Sequence, residues 1–290
     1  MTKEIYISDD MIQKIQKFDS IIFDCDGVLV DIRNSYDYAI NKTISAIMNE
    51  LFDDKISDVV NSKILYGLKA SGGFNDEVAV VYAVVMTLVA SKKSNLKFKK
   101  LIIDVINNAN ESGINSIDNY FINQNIDLKE IKLKLDYENS RKISYIHRIF
   151  NQLFYGPKLY EEIFKEKSQF SEKPLIDLDN IVLDDNLMSK LKTRFGNKIS
   201  TVTGRGNFAF SYSMKNFLNN FDMKNSVFLE DRPLNLAKPN PKSLIESISG
   251  INSKCSLYIG DSMEDLMMVE KCKEHGYDVS FCGIYGSSDE

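Results

Sequence analysis

The chain of 290 residues is long enough for two domains, and its 43% hydrophobic and 27% charged residues are ordinary for a globular protein with a sizeable core. A formal net charge of -5 and a pI near 5.3 argue against a protein that binds nucleic acid by neutralising many phosphates. Three further features favour a cytoplasmic protein that does not bind membranes: an acidic N-terminus, four scattered cysteines without metal-ligand spacing, and an apolar run, residues 78–90, too short for a bilayer.

Apolar residues at helical spacing predict a helix-rich insertion in the first half of the chain. A short helix near Asp9 precedes a buried strand, residues 21–23, and the helical pattern then runs from about Tyr36 to about Lys167. Asn75 or Asp76 is expected to cap a helix buried on all sides, and Pro174 lies in the predicted return linker. The predicted helices of this region are 36–51, 78–90, 98–109, 114–123, 128–154 and 158–167.

Strands and helices alternate in the second half of the chain. The predicted strands are 198–202, 226–229, 255–259 and 279–282, and the predicted helices are 185–195, 208–219, 241–248 and 263–275. This alternation predicts an α/β fold, a Rossmann-like parallel sheet with helices on both faces and strand 21–23 at its centre. We therefore expect a discontinuous core domain, residues 1–33 and 178–290, and an inserted all-α domain, residues 34–177.

Two aspartates separated by one residue follow the first strand. Because side chains alternate along a strand, Asp24 and Asp26 can point to one side, and Gly27 then lets the chain turn away. Carboxylates this close repel each other unless a cation lies between them or one keeps its proton. Such a pair can supply a nucleophile and a proton donor beside a metal ion, and it is also typical of an ordinary strand-end turn.

Three more polar sets follow predicted strands, and in an open parallel sheet such strand ends form the ligand site. Thr203, Gly204 and Arg205 form a potential phosphate cradle or a common turn, with Arg205 either contacting an anion or lying in solvent. Lys238 precedes Pro239 and could meet a phosphoryl group, although an exposed lysine is the simpler interpretation. In the third set Ser262 and Asp265 resemble a capping box, whereas Asp261 has no such explanation and suits Mg²⁺.

The four sets occur in order, each at the end of a predicted strand, and this combination resembles the haloacid dehalogenase-like superfamily of phosphohydrolases. The resemblance covers residues 21–31 and about 181–282. The helical insertion, between the first and second sets, resembles the cap domain of the subfamily that includes phosphoglycolate phosphatase and β-phosphoglucomutase. The resemblance implies a core domain with this active site and a cap that closes over it and sets specificity.

The resemblance also implies a role for each matched residue. Asp24 corresponds to the nucleophile that becomes an aspartyl phosphate, and Asp26 to the acid that protonates the leaving oxygen and later activates water. Thr203 and the Gly204 N–H would hold phosphoryl oxygens, and Lys238 would neutralise charge. Mg²⁺ would be bound by Asp24, the Asp26 carbonyl and Asp261, with Asp265 as a further ligand or a support. Further candidates for binding phosphate or substrate are Gly27, Arg205 and Asn75.

We therefore expect a Mg²⁺-dependent phosphatase, similar to phosphoglycolate phosphatase, that acts on a small phosphorylated metabolite as a monomer or small homo-oligomer. A phosphomutase is an alternative hypothesis, because it would use the same core residues. A third hypothesis is a non-catalytic sensor of a phosphorylated ligand, which the presence of both Asp24 and Asp26 disfavours. His147 is interpreted as a packed or surface histidine. The candidates for specificity in the cap are Gly73, Phe74, Asn75, Asp76, Arg33 and Arg141.

Overall fold

A computed structural model describes residues 5–74, 76–137 and 144–285 of the chain. These residues fall into two units, one formed by the chain up to Asp31 and from Asn180 onward, and the other by Ile32–Asp179. The second unit is therefore an insertion into the first. None of the described helices has the length and apolar character needed to cross a membrane.

The first unit contains a five-stranded sheet in the order β5-β4-β1-β6-β7, and every neighbouring pair is parallel. The predicted α/β fold and the central position of the first strand are confirmed. A separate antiparallel pair is formed by β2 and β3. Strand β2 lies just before the inserted unit in the chain, and β3 lies just after it. The strands are β1 Ser20–Phe23, β2 Val30–Asp31, β3 Asn180–Ile181, β4 Ile199–Thr203, β5 Val227–Phe228, β6 Ser256–Gly260 and β7 Val279–Gly283.

Twelve α-helices are present among the described residues, and the inserted unit contains seven of them, α2 to α8. The helices are α1 Asp9–Lys14, α2 Arg33–Phe52, α3 Ser62–Lys69, α4 Glu77–Ser94, α5 Phe98–Asn108, α6 Ile114–Asn123, α7 Lys129–Leu135, α8 Tyr145–Phe164, α9 Asp185–Phe195, α10 Asn207–Ser213, α11 Lys242–Gly250 and α12 Met263–Glu274.

Side chains of β1 alternate between two covered faces of the sheet. Ile22 belongs to a buried cluster that includes Leu244 of α11 and Met268 of α12. On the other face Phe23 packs edge-on against Phe221, with 6.4 Å between ring centroids. Because all four residues of β1 are buried, the end of this strand is held firmly by the core.

Asp19 holds the amino end of the sheet together. Its carboxylate pairs with Lys198 Nζ at 2.8 Å and accepts hydrogen bonds from Ser253 Oγ at 2.7 Å and from the Cys255 amide at 3.1 Å. Partial burial alone would raise the pKa of Asp19, but Lys198 and these donors hold it below its ordinary range. This carboxylate therefore stabilises the fold at the end of the sheet remote from the predicted site.

Helix α4 is buried over residues 78–91, as its apolar sequence predicts. All of these residues are buried, so this part of the helix has no solvated face, and only its last turn, with Lys92 and Lys93, is exposed. Asp76 caps it, because its Oδ1 accepts a hydrogen bond from the Val78 amide at 2.8 Å. The alternative cap, Asn75, lies outside the described residues.

Several predicted helix boundaries are wrong. The predicted helix 128–154 is two helices. Helix α7 ends at Leu135, and its C-cap, Asp136, has a left-handed backbone (φ 54°). Helix α8 begins only after Ser144, whose side chain caps it. The predicted break between residues 154 and 158 is a kink at Gly156 inside α8, with φ 65° and ψ 172°.

Other elements were shortened or missed. The predicted helix 208–219 is the short α10 followed by a single 3-10 turn at Leu218–Asn220. The strands β2 and β3 have only two residues each, which is too short for an alternating hydrophobic pattern to show. Helix α3, which Asn61 caps, lies inside the continuous helical pattern and is not predicted as a separate helix. Short elements of this kind are fixed by tertiary pairing more than by local pattern.

Candidate active site

Asp24 stands at the carboxyl end of the central strand, where the sheet holds its backbone. Its amide donates to the Ile259 carbonyl at 2.8 Å and so extends the pairing of β1 with β6 by one residue. The following turn is tight, because the Cys25 carbonyl accepts hydrogen bonds from the amides of Val28, Leu29 and Val30 at 2.8 to 3.2 Å. Asp26 lies in this turn, and its side chain is 25% exposed.

Lys238 connects two of the predicted site carboxylates. Its ammonium lies 2.9 Å from Asp24 Oδ2 and 2.7 Å from Asp265 Oδ1, and the lysine side chain is only 8% exposed. The interpretation of Lys238 as an ordinary exposed lysine is therefore excluded. A buried ammonium held between two carboxylates can neutralise negative charge that develops on Asp24.

Burial and charge shift the pKa values of these groups in different directions. Burial raises the pKa of Asp24 above its ordinary value, the neighbouring Asp265 adds to this, and Lys238 opposes it. Burial would also raise the pKa of Asp265, but Lys238 and hydrogen bonds from Ser262 and Tyr258 hold it below its ordinary value. Burial alone would lower the pKa of Lys238, yet Asp24 and Asp265 hold it well above the ordinary value, so the lysine stays charged.

Asp261 approaches the same place from the end of β6. Carboxylate oxygens of Asp24, Asp261 and Asp265 lie within 4.8 Å of one another. Three carboxylates around one lysine leave excess negative charge, and oxygen donors at this spacing suit a hard divalent cation such as Mg²⁺. The residues present therefore fit a magnesium ion.

Gly27 makes room for the Asp261 carboxylate. A Cβ at position 27 would lie 1.8 Å from Asp261 Oδ2, and the backbone there has φ +75°. The Gly27 N–H donates to the Val30 carbonyl at 2.9 Å. In this structure the Gly27 N–H is thus used within the turn, and the assignment of Gly27 to phosphate or substrate binding stays a prediction. What the geometry does explain is the need for glycine here, because it allows the close approach of Asp261.

Asp265 has partners on both carboxylate oxygens. Its Oδ2 accepts from the Ser262 hydroxyl at 2.7 Å and from the Ser262 amide at 3.2 Å, which completes the capping box at the start of α12. Its Oδ1 faces Lys238 and the hydroxyl of Tyr258, which is 2.8 Å away. Asp265 is therefore better placed to support Lys238 than to bind a metal ion directly.

Tyr258 is a site residue that sequence reasoning missed. It lies in β6, is fully buried, and directs its hydroxyl between Asp265 Oδ1 at 2.8 Å and the Val202 carbonyl at 2.9 Å. Its ring lies 5.9 Å from the Lys238 ammonium. In the sequence Tyr258 looks like any other apolar residue of a strand. The only signal of a hydrogen-bond partner for its hydroxyl is the acidic residue seven positions later, Asp265.

Thr203 and Gly204 follow β4. Thr203 is buried, and its Oγ1 accepts a hydrogen bond from the Arg205 amide at 3.2 Å. Gly204 is exposed, and a Cβ there would meet open space. The Arg205 side chain, in contrast, is fully buried and pairs with Asp26. The sequence allowed Arg205 either to contact an anion or to lie in solvent, and its burial rules out the position in solvent.

Comparison with solved structures identifies the fold. Phosphatase Tt82 from Thermococcus thioreducens is 21% identical, with a TM-score of 0.65 over 93% of this chain and 94% of that chain. The chain has the haloacid dehalogenase-like fold. This assignment agrees with the order of the four polar sets along the chain. No protein-family model and no curated protein matches the sequence.

Two further solved structures resemble this fold more loosely. A protein from Haemophilus somnus 129pt, described as a predicted phosphoglycolate phosphatase, is 15% identical with a TM-score of 0.48 over 93% of this chain and 86% of that chain. A protein from Bacteroides fragilis, described as a haloacid dehalogenase-like hydrolase, is 14% identical with a TM-score of 0.47 over 94% and 90% of the two chains.

Three of the specificity candidates in the inserted helical unit have structural roles, and a role for any of the candidates in specificity stays a prediction. Phe74 is fully buried and contributes its ring to the core of this unit. Gly73 is needed for packing, because a Cβ there would lie 2.5 Å from the Gly113 amide nitrogen. Asp76 is the cap of α4, and Arg33 is exposed at the first residue of α2. Asn75 and Arg141 lie outside the described residues.

His147 is a packed residue of the helical unit, as expected. It is 5% exposed, its Nδ1 lies 2.9 Å from Ser144 Oγ, and its ring lies 5.3 Å from that of Tyr137. These contacts explain the histidine without a catalytic role.

Proposed function

We propose that the chain is a Mg²⁺-dependent phosphomonoesterase that hydrolyses a small phosphorylated metabolite through an aspartyl-phosphate intermediate. The observation that carries the proposal is the pair of Asp24 and Lys238, a buried carboxylate and ammonium 2.9 Å apart at the end of the central strand. A protein that only binds a phosphorylated ligand would not need the Asp24 carboxylate beside Lys238, because this carboxylate and the phosphoryl group repel each other. Nucleophilic attack on phosphorus does require it.

Asp24, Asp261 and the Asp26 carbonyl would hold Mg²⁺, and Asp265 would support Lys238. The ion would neutralise charge on Asp24 and on the phosphoryl group, which reduces their repulsion. The low net charge of the chain, -5, makes a small anionic ester a better substrate class than a nucleic acid.

The chain's own residues account for both halves of the reaction. The Asp24 carboxylate attacks phosphorus while the bond from phosphorus to the leaving oxygen breaks, and Asp26 gives that oxygen a proton. Thr203 donates its hydroxyl hydrogen and Gly204 its N–H to phosphoryl oxygens, while Lys238 neutralises charge. Water then attacks the aspartyl phosphate, Asp26 takes a proton from it, and Asp24 and inorganic phosphate are released.

The experiment measures phosphate release from a panel of phosphomonoesters, including p-nitrophenyl phosphate and phosphoglycolate, with Mg²⁺ and with EDTA. We expect release that needs Mg²⁺, is lost in Asp24→Asn and is kept in Asp185→Asn, a matched control that removes an exposed carboxylate of α9. Asp26→Asn, which slows hydrolysis of the intermediate, should gain the mass of one phosphoryl group on Asp24 when it is quenched in acid with a reactive aryl ester.

Two results would overturn the proposal. If folded wild-type protein that binds Mg²⁺ releases no phosphate from any ester but still forms the phosphoryl adduct, a phosphomutase would replace it. If there is neither release nor an adduct, and a phosphorylated ligand binds Asp24→Asn as well as the wild type, the protein would be a sensor.

A further inference from the structure

Arg205 occupies a position in which an unpaired charge is very costly. Its side chain has no exposed surface, its NH2 lies 2.8 Å from Asp26 Oδ1, and its NH1 donates a hydrogen bond to Ser213 Oγ at 2.9 Å. A buried guanidinium needs a carboxylate partner, because no water compensates its charge. The contact with Asp26 therefore provides an interaction that the arginine requires.

The loop after β4 fixes the direction of this side chain. The Arg205 amide donates to Thr203 Oγ1 at 3.2 Å, and the Gly206 amide donates to Glu230 Oε2 at 2.9 Å. The next amide, that of Asn207, donates to Asp231 Oδ2 at 2.8 Å. With the backbone tied on both sides of Arg205, the guanidinium is a fixed anchor for Asp26.

The site then contains two buried cations with different partners. Lys238 lies 2.9 Å from Asp24, the carboxylate that would attack phosphorus, whereas Arg205 lies 2.8 Å from Asp26, the carboxylate that would transfer protons. Asp26 is itself 25% exposed and lies in a turn, so its side chain has room to adopt other rotamers. The ion pair with Arg205 restricts that freedom, because the planar guanidinium is itself held through NH1 by Ser213 Oγ and so keeps NH2 in one place beside Asp26 Oδ1.

We propose that Arg205 is a positioning residue that holds the Asp26 carboxyl group where it can protonate the leaving oxygen, and that it does not bind the phosphoryl group. This inference rests on the proposed phosphatase function. If so, loss of Arg205 should lower kcat/KM most for substrates whose leaving oxygen must be protonated, and least for those with a good leaving group.

The test compares kcat/KM for alkyl and p-nitrophenyl phosphates, because this ratio reports the steps up to departure of the leaving group. In Arg205→Met we expect kcat/KM to fall by about 10²-fold for alkyl esters, whose leaving oxygen needs a proton, and by much less for the p-nitrophenyl ester. Asp26→Asn should show the same dependence on the leaving group. Arg194→Met, which removes an exposed arginine of the same unit, is the control.

A double-mutant cycle separates action through Asp26 from independent action. If Arg205 acts through Asp26, adding Arg205→Met to Asp26→Asn should change kcat/KM for the alkyl ester by less than about threefold. Additive losses, or an equal loss for every leaving group with a raised KM, would overturn the proposal and assign Arg205 to phosphate binding. A lower stability with unchanged kcat/KM in the folded fraction would also overturn it.

Arg205→Lys keeps the charge but not the planar fork, and it provides the same measurements if the methionine variant does not fold. It should retain the leaving-group dependence with a smaller loss. Failure of the phosphatase function itself would be visible separately, because wild-type protein would then release no phosphate from either ester.

Discussion

Gly27→Ala tests whether Asp261 is a metal ligand. The new Cβ would lie 1.8 Å from Asp261 Oδ2 and 2.6 Å from its Cγ, so the carboxylate has to leave its place beside Asp24. Asp261 is exposed, and its side chain can swing into solvent without moving the backbone. The substitution should therefore displace a ligand while it leaves the fold intact.

The cost to stability can be separated from the cost to binding. An alanine at φ +75° is strained by about 1–2 kcal/mol. Gly276 offers a matched control, because it has φ +85° and a Cβ there would have nothing within 4 Å. Gly276→Ala should thus show a similar loss in the free energy of unfolding without any effect at the site.

The assay is isothermal titration with Mg²⁺, alongside urea denaturation of both variants. We expect Gly27→Ala to bind Mg²⁺ at least 10- to 100-fold more weakly than Gly276→Ala, since even loss of a ligand's supporting partner costs about this much. Equal affinities in the two variants would refute the reasoning, because Asp261 would then be dispensable for the ion.

Three further substitutions test the electrostatics. Lys238→Met leaves Asp24 and Asp265 without their shared cation, so the free energy of unfolding in urea at neutral pH should fall by about 3–5 kcal/mol, and a loss below about 1 kcal/mol would contradict the buried pairing. Tyr258→Phe removes one donor to Asp265 and should cost about 1.5–3 kcal/mol in the same assay, with less effect on turnover than Asp265→Asn. Because the pKa of Asp19 is lowered by folding, its stabilisation is present above the unfolded pKa of about 3.9 and is lost as pH falls. Asp19→Asn should therefore be less stable than wild type by about 2 kcal/mol at neutral pH, and a gap that failed to narrow in strong acid would contradict this.

The sequence predicts the site best where a residue's chemistry is unusual for its position. Asp24 and Asp261 are carboxylates directly after apolar strands, and the parallel sheet brings such strand ends together. The burial of α4 follows similarly from an apolar run too long for a strand. In these cases the local sequence pattern is compatible with few local structures, so the pattern alone predicts the outcome.

Other features depended on partners remote in sequence. Arg205 could be assigned either to an anion or to solvent until the structure placed it against Asp26, 179 positions earlier in the chain. The Tyr258 hydroxyl is invisible to hydrophobic pattern, because a tyrosine in a strand usually contributes its ring to the core. The break between α7 and α8 follows from the αL backbone at Asp136, a conformation that an aspartate adopts only occasionally. Periodicity alone carries no information about these three features.

The charges of the site suggest why its two cations are kept apart. Among the described residues Asp24 and Asp265 pair with Lys238, and Asp26 pairs with Arg205, while Asp261 lies close to Asp24 and Asp265. A divalent cation would offset the excess of carboxylates over cations at this site. If one cation served both catalytic carboxylates, a phosphoryl group arriving at Asp24 would weaken the hold on Asp26 as well. With Lys238 on the nucleophile and Arg205 on the proton donor, the incoming negative charge can draw on the first pair while the second keeps its geometry. The separate pairing thus allows charge neutralisation and proton transfer to occur in one site without competing for the same cation.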